Sequence, residues 1–305
     1  MHNLGVQTRR LEVLLELSRS GSMRAVAEQL GTTTSTVSQQ IAKLAQETGT
    51  ALVEPDGRRV RLTPAGRRLA AHAVTILGAV EAARLDLDPA AAPAGTLRVA
   101  GFATAIDRAL LPIISQLADS HPDVRVLVYE HEPAEALALL ATDQVDLALT
   151  YDYNLAPAGI DSRFESVALW SSPWSLGVPF RAAGGRGGSA LTVFDAFRDS
   201  DWIANSRNRA DETVLALIAS MCGFEPQVTH RADSLDVVEN LILAGLGVGL
   251  LPADRRTRSG VSLLSLTEPN VELRAYARTR RGRAGWPPVA LLLDRLSAPD
   301  TRSPR

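Results

Sequence analysis

The chain has 305 residues, 46% of them hydrophobic and 22% charged, which is the balance of a globular protein long enough for two or three domains. No apolar run reaches the ~18 residues of a membrane-spanning helix, and the N-terminus lacks the apolar core of a secretory signal. The single cysteine, Cys222, excludes an internal disulfide framework. By elimination, we expect a cytoplasmic protein with no membrane partner.

The net charge of −2 conceals an asymmetry along the chain. Residues 1–80 contain 10 Lys and Arg against 6 Asp and Glu, a net charge of +4. The remaining residues contain 22 against 28, a net charge of −6. A basic N-terminal module before an acidic body is compatible with nucleic-acid binding by the first part only.

Three helices are predicted in the N-terminal module. The first spans Arg9–Ser20 and turns four leucines inward, at Leu11, Leu14, Leu15 and Leu17. Ser22 can cap the second helix, and Gly31 permits the tight turn after it. The third helix keeps Val37, Ile41 and Leu44 at i, i+4 and i+7, the spacing of one buried stripe.

The exposed surface of the third helix carries short hydroxyls, amides and one cation. These side chains can hydrogen-bond base edges or reach a phosphate. They are Thr33, Thr34, Ser35, Ser38, Gln39, Gln40 and Lys43. The pattern predicts a helix-turn-helix whose second helix enters the major groove of double-stranded DNA.

A basic hairpin follows the third helix. Residues 52–62 read as a short strand, an Asp56-Gly57 turn and a second strand that carries Arg58, Arg59 and Arg61. Such a wing suits contact with the DNA backbone or minor groove. The alternative is a three-helix bundle whose hairpin is basic but has no role in binding.

A long helix begins after the hairpin, with Thr63 as its cap and Pro64 at its first position. Its apolar residues recur every three or four positions, at Leu69, Ala73, Ile76, Val80, Ala83 and Leu87. This seam favours a helix that pairs two DNA-binding modules in a dimer. The alternative is a helix that packs only on its own domain.

Residues 8–66 resemble the winged helix-turn-helix of LysR-type transcriptional regulators, and the long helix resembles the linker helix of that family. The resemblance rests on the segments GSMRAVAEQL, TTSTVSQQIAKL and GRRVRLTPAG. Met23 replaces a usual aromatic residue, Thr34-Ser35 replaces a frequent Gln-Pro, and Pro55 stands where an arginine is common. The resemblance implies a homodimer or homotetramer, and the departures concern the DNA sequence that is read rather than the fold.

A small-residue linker at 89–95 precedes alternating strands and helices. This alternation predicts βαβ units and parallel sheets in two lobes. The predicted strands are Thr96–Gly101, Val124–Glu130, Val145–Thr150, Trp174–Val178, Trp202–Asn205, Gln227–His230, Val248–Leu251 and Val271–Ala277. The segments LRVAG, LLP, VDLAL and GLGVGLLP extend the family resemblance to its two-lobed effector domain, which is similar to periplasmic solute-binding proteins.

The expected fold class is therefore α/β with an N-terminal winged helix-turn-helix. Residues 1–63 form the DNA-binding domain, 64–94 the linker helix and hinge, and 95–298 the effector-binding domain. Ligands in such sheets bind beyond the carboxyl ends of the strands. The expected effector contacts are Ala103, Thr104, Ala105, Tyr151, Ser171, Asn205, Ser206 and His230.

The helix start at Thr104 is expected to favour an anionic group. Asp152 and Arg207 either read the charge of an effector or lie solvated in loops.

The function expected from these features is sequence-specific transcription regulation. A small-molecule effector between the lobes would alter DNA bending and the access of RNA polymerase. One alternative is a constitutive DNA-binding oligomer whose C-terminal body only oligomerises. An enzyme is not favoured, because the five histidines lack metal-ligand spacing and the glycines at 245–249 follow a helix instead of a strand. We expect no cofactor and no metal.

Overall fold

A computed structural model describes residues 7–57, 59–88, 92–159, 161–185 and 188–298. Its N-terminal part is a winged helix-turn-helix followed by a long helix. The elements are α1 (Thr8–Ser20), α2 (Met23–Gln29), α3 (Thr34–Thr48), β1 (Val53–Asp56), β2 (Arg59–Leu62) and α4 (Pro64–Leu87). The strands β1 and β2 pair antiparallel from Val53 opposite Leu62 to Asp56 opposite Arg59, which forms the predicted hairpin.

Local side chains set the boundaries of these helices. Ser22, Thr33 and Thr63 each accept a hydrogen bond from a backbone N–H of the helix that they precede. Gly31 has φ +60°, a left-handed conformation that glycine adopts at little cost, and it turns the chain from α2 toward α3. The predicted apolar stripes are buried in one core, which also includes residues of α4.

The apolar seam of α4 divides between two environments. Leu69 and Ala73 pack into the core of the N-terminal domain. Ile76, Val80 and Leu87 are 41%, 49% and 85% exposed. Packing within this chain therefore accounts for the first turns of the seam but leaves its later turns open to solvent.

The C-terminal part contains two α/β lobes. The elements of the first lobe are β3 (Gly95–Gly101), α5 (Ala103–Ala105), a π-helical turn (Ile106–Leu110), α6 (Leu111–Ser120), β4 (Val124–Glu130), α7 (Pro133–Ala141) and β5 (Leu147–Tyr153). The chain then crosses through β6 (Phe164–Pro179). The second lobe contains α8 (Phe180–Ala183), α9 (Ala190–Ala196), β7 (Asp201–Ala204), α10 (Ala210–Met221), β8 (Gln227–Arg231), α11 (Leu235–Leu243), β9 (Val248–Pro252) and β10 (Val261–Ser265). The return strand β11 (Glu272–Arg280) and α12 (Pro287–Ser297) complete the fold.

The strand order explains how two lobes form from one chain. The strands lie in the order β4-β3-β5-β11-β6-β9-β7-β8, and β10 pairs with β6. The first part of β6 pairs with β11, and its second part, from Trp174 onward, pairs with β9 and β10. One strand is therefore shared by both lobes, and the carboxyl ends of β3, β5 and β7 face the space between them.

The predicted strand at Trp174–Val178 is the second part of this longer element. The first part of the strand was not predicted, because Ser171, Ser172 and Pro173 lack the composition of a buried strand. In the structure all three residues pair with β11. The strand β10 and the helix α9 were also missed. Part of the predicted small-residue linker, residues 89–91, lies outside the described residues.

A buried cluster of charges connects the N-terminal domain to the first lobe. Asp146, which is 1% exposed, accepts hydrogen bonds from the Arg98 guanidinium at 3.0 Å and from Arg283 Nη2 at 2.6 Å. Arg19 of α1 lies 3.7 Å from Asp146 and donates to Asp143 at 2.8 Å. Burial alone would raise the pKa of Asp146, but the hydrogen bonds of Arg98 and the charges of Arg283, Arg98 and Arg19 lower it below the usual value.

We expect Asp146→Ala to lower the free energy of unfolding by about 3–5 kcal/mol, because it leaves buried guanidinium groups without their carboxylate. Chemical denaturation monitored by circular dichroism measures this change. Asp161→Ala is the control, since it removes a carboxylate whose pairing with Arg163 is at the surface, and it should change little. Equal effects of the two substitutions would contradict a structural role for the cluster.

Candidate DNA surface and effector cleft

The outward face of α3 carries most of the polar residues predicted to contact DNA. Thr33, Thr34, Ser35, Ser38, Gln39 and Lys43 are exposed. They lie away from Val37, Ile41 and Leu44, which are at most 1% exposed. The helix therefore presents hydroxyl, amide and ammonium groups on a surface that the domain itself does not cover.

Gln40 is placed differently from its neighbour Gln39. Gln40 is half-buried, and its Oε1 accepts a hydrogen bond from Arg10 Nε at 3.2 Å. Arg10 also pairs with Glu47 at the other end of the same helix. The amide of Gln40 thus contributes to packing between α1 and α3, and Gln39 presents the free amide at this level of the helix.

The structure describes the side chain of one of the three arginines predicted on the wing. Arg61 has a 63% exposed side chain and pairs with Glu54 across the hairpin at 3.0 Å. Arg58 and the side chain of Arg59 lie outside the described residues. Their roles in contacting DNA stay predictions.

A cavity of about 650 Å³ separates the two lobes. Four of the predicted effector contacts line it: Ala103, Thr104, Tyr151 and Asn205. This volume is in the range that holds a small metabolite. The rule that ligands bind beyond strand carboxyl ends therefore located the cleft from the sequence.

The other four predicted contacts are not among the described residues that line this cavity. Ala105 is fully buried in the core, and Ser171 lies within β6 rather than after a strand end. Ser206 donates a 2.5 Å hydrogen bond to Asp233. His230 lies on β8, where side chains alternate in direction, and its neighbour Arg231 lines the cavity instead.

Of the two charged alternatives, Arg207 lines the cavity. Asp152 is 5% exposed and accepts a hydrogen bond from Arg274 at 2.9 Å. Asp152 therefore has a structural partner within the first lobe.

Sequence reasoning missed the buried carboxylates of the cleft. Glu132, which is 6% exposed, accepts a 3.0 Å hydrogen bond from the Tyr151 hydroxyl. Asp211 lies in the first turn of α10 and lines the same cavity. Glu132 follows the carboxyl end of β4, so the strand-end rule applied to β4 would have found it.

These carboxylates titrate abnormally because they are desolvated. Burial raises the pKa of Asp211 to about 7, and the nearby charges of Glu132 and Asp233 act in the same direction. Burial also raises the pKa of Glu132 and holds the pKa of Tyr151 well above its usual value. The cleft therefore contains two acidic groups, Glu132 and Asp211, for which burial outweighs the stabilisation of the charged form by neighbouring groups.

No group of three or more His, Cys, Asp or Glu side chains in the described part of the chain is arranged to hold a metal ion. Among the helices described, none is long and apolar enough to cross a membrane. Cys222 is half-buried, and burial raises the pKa of its thiol.

A polar helix-turn-helix surface joined to a two-lobed domain with a cleft defines a DNA-binding transcriptional regulator with an effector-binding domain. Residues 8–67 match the bacterial regulatory helix-turn-helix domain of the lysR family, and residues 90–298 match the LysR substrate binding domain. The chain belongs to the LysR family. It is a regulator that binds DNA and a small-molecule effector, and not an enzyme.

Similar proteins of known sequence and structure cover nearly all of the chain. The nitrogen assimilation regulatory protein nac of Escherichia coli (strain K12) is 27% identical over 303 residues, which cover 95% of each protein. OxyR of the same strain, a DNA-binding transcriptional dual regulator, is 27% identical over 284 residues, covering 86% of this chain and 85% of OxyR. The structure of a full-length OxyR variant from Pseudomonas aeruginosa superposes with a TM-score of 0.72 at 18% identity, covering 96% of this chain and 95% of that one. This likeness shows the shared fold.

We expect Asp211→Asn to stabilise the ligand-free protein, and to do so more as the pH rises. A carboxyl whose pKa is raised by folding stabilises the folded state below its unfolded pKa, and this contribution is lost as the pH rises through about 7. The asparagine does not ionise, so its advantage should grow by on the order of 2–3 kcal/mol between pH 5 and pH 8. Thermal melts at a series of pH values measure it. Asp195→Asn, which alters a surface pair with Arg198, is the control, and a pH-independent difference for Asp211→Asn would contradict the account.

Proposed function

We propose that effector binding between the lobes changes the geometry of paired DNA-binding domains and so alters DNA bending and the access of RNA polymerase. The cavity at the lobe interface carries this proposal, because closing it around a ligand requires the lobes to rotate about β6, the strand that they share. A coupling of about 1–3 kcal/mol is typical of such systems. The cavity also favours a sensor over a body that only oligomerises.

The pairing of two chains is supported by the exposed seam of α4. Ile76, Val80 and Leu87 recur on one side of a 24-residue helix and remain 41–85% exposed among the described residues. A second copy of α4 would bury them, and would bring two recognition helices onto one duplex about 34 Å apart. We propose a homodimer or a homotetramer, acting on cytoplasmic DNA.

In this assembly, α3 reads the major groove and the hairpin contacts the DNA backbone. Gln39 is proposed to contact base edges, and Lys43 to contact phosphate. Thr33, Thr34, Ser35 and Ser38 supply further hydroxyl groups along the same helix.

The peroxide response named for several relatives is not proposed for this chain. Those relatives include a hydrogen peroxide-inducible genes activator from Pectobacterium carotovorum that is 27% identical. Here the one cysteine is half-buried, its Sγ lies 3.4 Å from the Leu191 carbonyl oxygen, and its pKa is raised. A thiol with a raised pKa is a poor nucleophile toward peroxide.

The adjacent glutamines of α3 provide a matched test of base reading. Gln39→Ala should reduce affinity for the selected operator by about 1–3 kcal/mol and leave affinity for random DNA nearly unchanged. Gln40→Ala should have the smaller effect on specificity, because its amide is bound to Arg10. Lys43→Ala should weaken binding to both DNAs and reduce the salt slope by about 1. Fluorescence anisotropy at several salt concentrations measures all three, and equal losses on operator and random DNA for Gln39→Ala would refute its role.

A further inference from the structure

We propose that the effector held between the lobes is a small organic cation, with an ammonium or guanidinium group attached to a partly apolar body. The proposal rests on the proposed function, since it concerns the ligand of the same cleft. The charges that line the cavity, the way in which its arginines are already paired, and the unpartnered polar atoms in its wall carry the inference.

Carboxylates outnumber basic groups in the lining. Six carboxylate side chains line the cavity, at Asp107, Glu130, Glu132, Asp211, Asp233 and Asp236. Three arginines line it, at Arg207, Arg231 and Arg255. The wall therefore attracts cations, and the low-dielectric surroundings of a cleft strengthen that attraction.

Each of the three arginines already has a carboxylate partner. Arg207 pairs with Asp233 at 2.8 Å. Arg231 pairs with Glu212 at 2.8 Å, and Arg255 pairs with Asp236 at 2.5 Å. An anionic effector would have to share a guanidinium group with a carboxylate of like charge, so the lining is less suited to a carboxylate or phosphate than to a cation.

The carboxylates deepest in the wall have no arginine partner among the described residues. Glu132 is 6% exposed and accepts a 3.0 Å hydrogen bond from the Tyr151 hydroxyl, and the Asn208 amide and the Arg207 charge lower its pKa without outweighing its burial. The Tyr153 hydroxyl beside Asp211 lowers the pKa of that carboxyl, but the buried Oδ1 atom of Asp211 has no donor at full hydrogen-bonding distance among the described residues. An uncompensated buried carboxylate is costly, and a ligand N–H group placed between Glu132 and Asp211 would remove that cost.

Aromatic side chains complete the site for a cation. The cavity is lined by three aromatic side chains, Phe102, Tyr151 and Trp174. The rings of Phe102 and Tyr151 pack edge to face, with their centroids 4.7 Å apart. Aromatic faces attract ammonium and guanidinium groups, more strongly where water is excluded. Trp174 is 7% exposed and its indole N–H has no acceptor among the described residues, so a ligand that also carries an acceptor would satisfy it.

The expectation of an anion at Thr104 is opposed by a neighbouring carboxylate. The helix that begins at Ala103 continues through the π-helical turn, and Asp107 lies in that turn and lines the same cavity. The negative charge of Asp107 therefore disfavours an anion at this helix start.

The test compares three ligands with one skeleton and different charges: 2-phenylethylamine, 2-phenylethanol and 3-phenylpropionate. Calorimetric titration of the full chain at pH 8 measures the affinity for each. The amine should bind at least about tenfold more tightly than the alcohol or the carboxylate, since a charge-assisted hydrogen bond supplies that difference. Agmatine, a guanidinium-bearing probe without an aromatic ring, separates the charge requirement from the apolar one.

Two substitutions locate the cation. Asp211→Asn and Glu132→Gln should each weaken amine binding by about tenfold or more while preserving the shape of the site. Asp195→Asn is the matched control at the surface of the second lobe and should leave the affinity unchanged. Unaltered binding of random DNA by each variant confirms that the chain is folded.

The outcomes separate this inference from the proposed function. Preferential binding of the amine or agmatine, lost in both cleft variants, supports it. Tighter binding of 3-phenylpropionate, or an amine affinity that Asp211→Asn leaves intact, overturns the cationic class but leaves a ligand-binding regulator. Absence of saturable binding by either cation also overturns the inference, whereas failure of the proposed function would show as loss of operator preference over random DNA.

Discussion

The buried ion cluster around Asp146 is the constraint on which the arrangement of the domains depends. One carboxylate, just before β5, receives guanidinium groups from β3, from the turn after β11 and from α1. These residues are distant in sequence, and no one of them could remain buried without the others. Because Arg19 belongs to the DNA-binding domain, the first lobe and the helix-turn-helix share this contact. The contact fixes the domain that carries α3 against the first lobe.

The carboxylates of the effector cleft differ from Asp146 in the direction in which their pKa values are shifted. Around Asp146 the arginines outweigh the cost of burial and lower the pKa of the carboxyl, whereas burial prevails at Glu132 and Asp211 and raises their pKa values. Completed ion pairs make a fixed contact, and uncompensated carboxylates make a site that a ligand can complete. The strand β5 connects the ion cluster to the cleft. It begins directly after Asp146, and its residue Tyr151 lines the cavity. Under the proposed function, a ligand in the cleft contacts one end of a strand whose other end lies beside Arg19.

Much of this structure follows from local sequence patterns. The spacing of Val37, Ile41 and Leu44 predicts α3 and its buried stripe, and the strand-end rule places Thr104 and Tyr151 at the cleft. What could not be predicted depends on partners distant in sequence. Gln40 has the composition of a base-reading residue, and only the packing of Arg10 against it, 30 positions earlier, turns it inward. Likewise, the sequence leaves Arg207 as a possible reader of effector charge, and only the folded chain shows that it pairs with Asp233.

The most direct test of the regulator account is to select genomic DNA fragments with the full chain and to footprint the protein on them at two salt concentrations. The account predicts protection in phase with the helical repeat over several turns of duplex, because paired recognition helices enter successive major grooves. The protection should weaken as salt rises, yet keep its boundaries, because phosphate contacts set affinity and base contacts set position. Protection indistinguishable from that on random DNA, at both salt concentrations, would contradict the account.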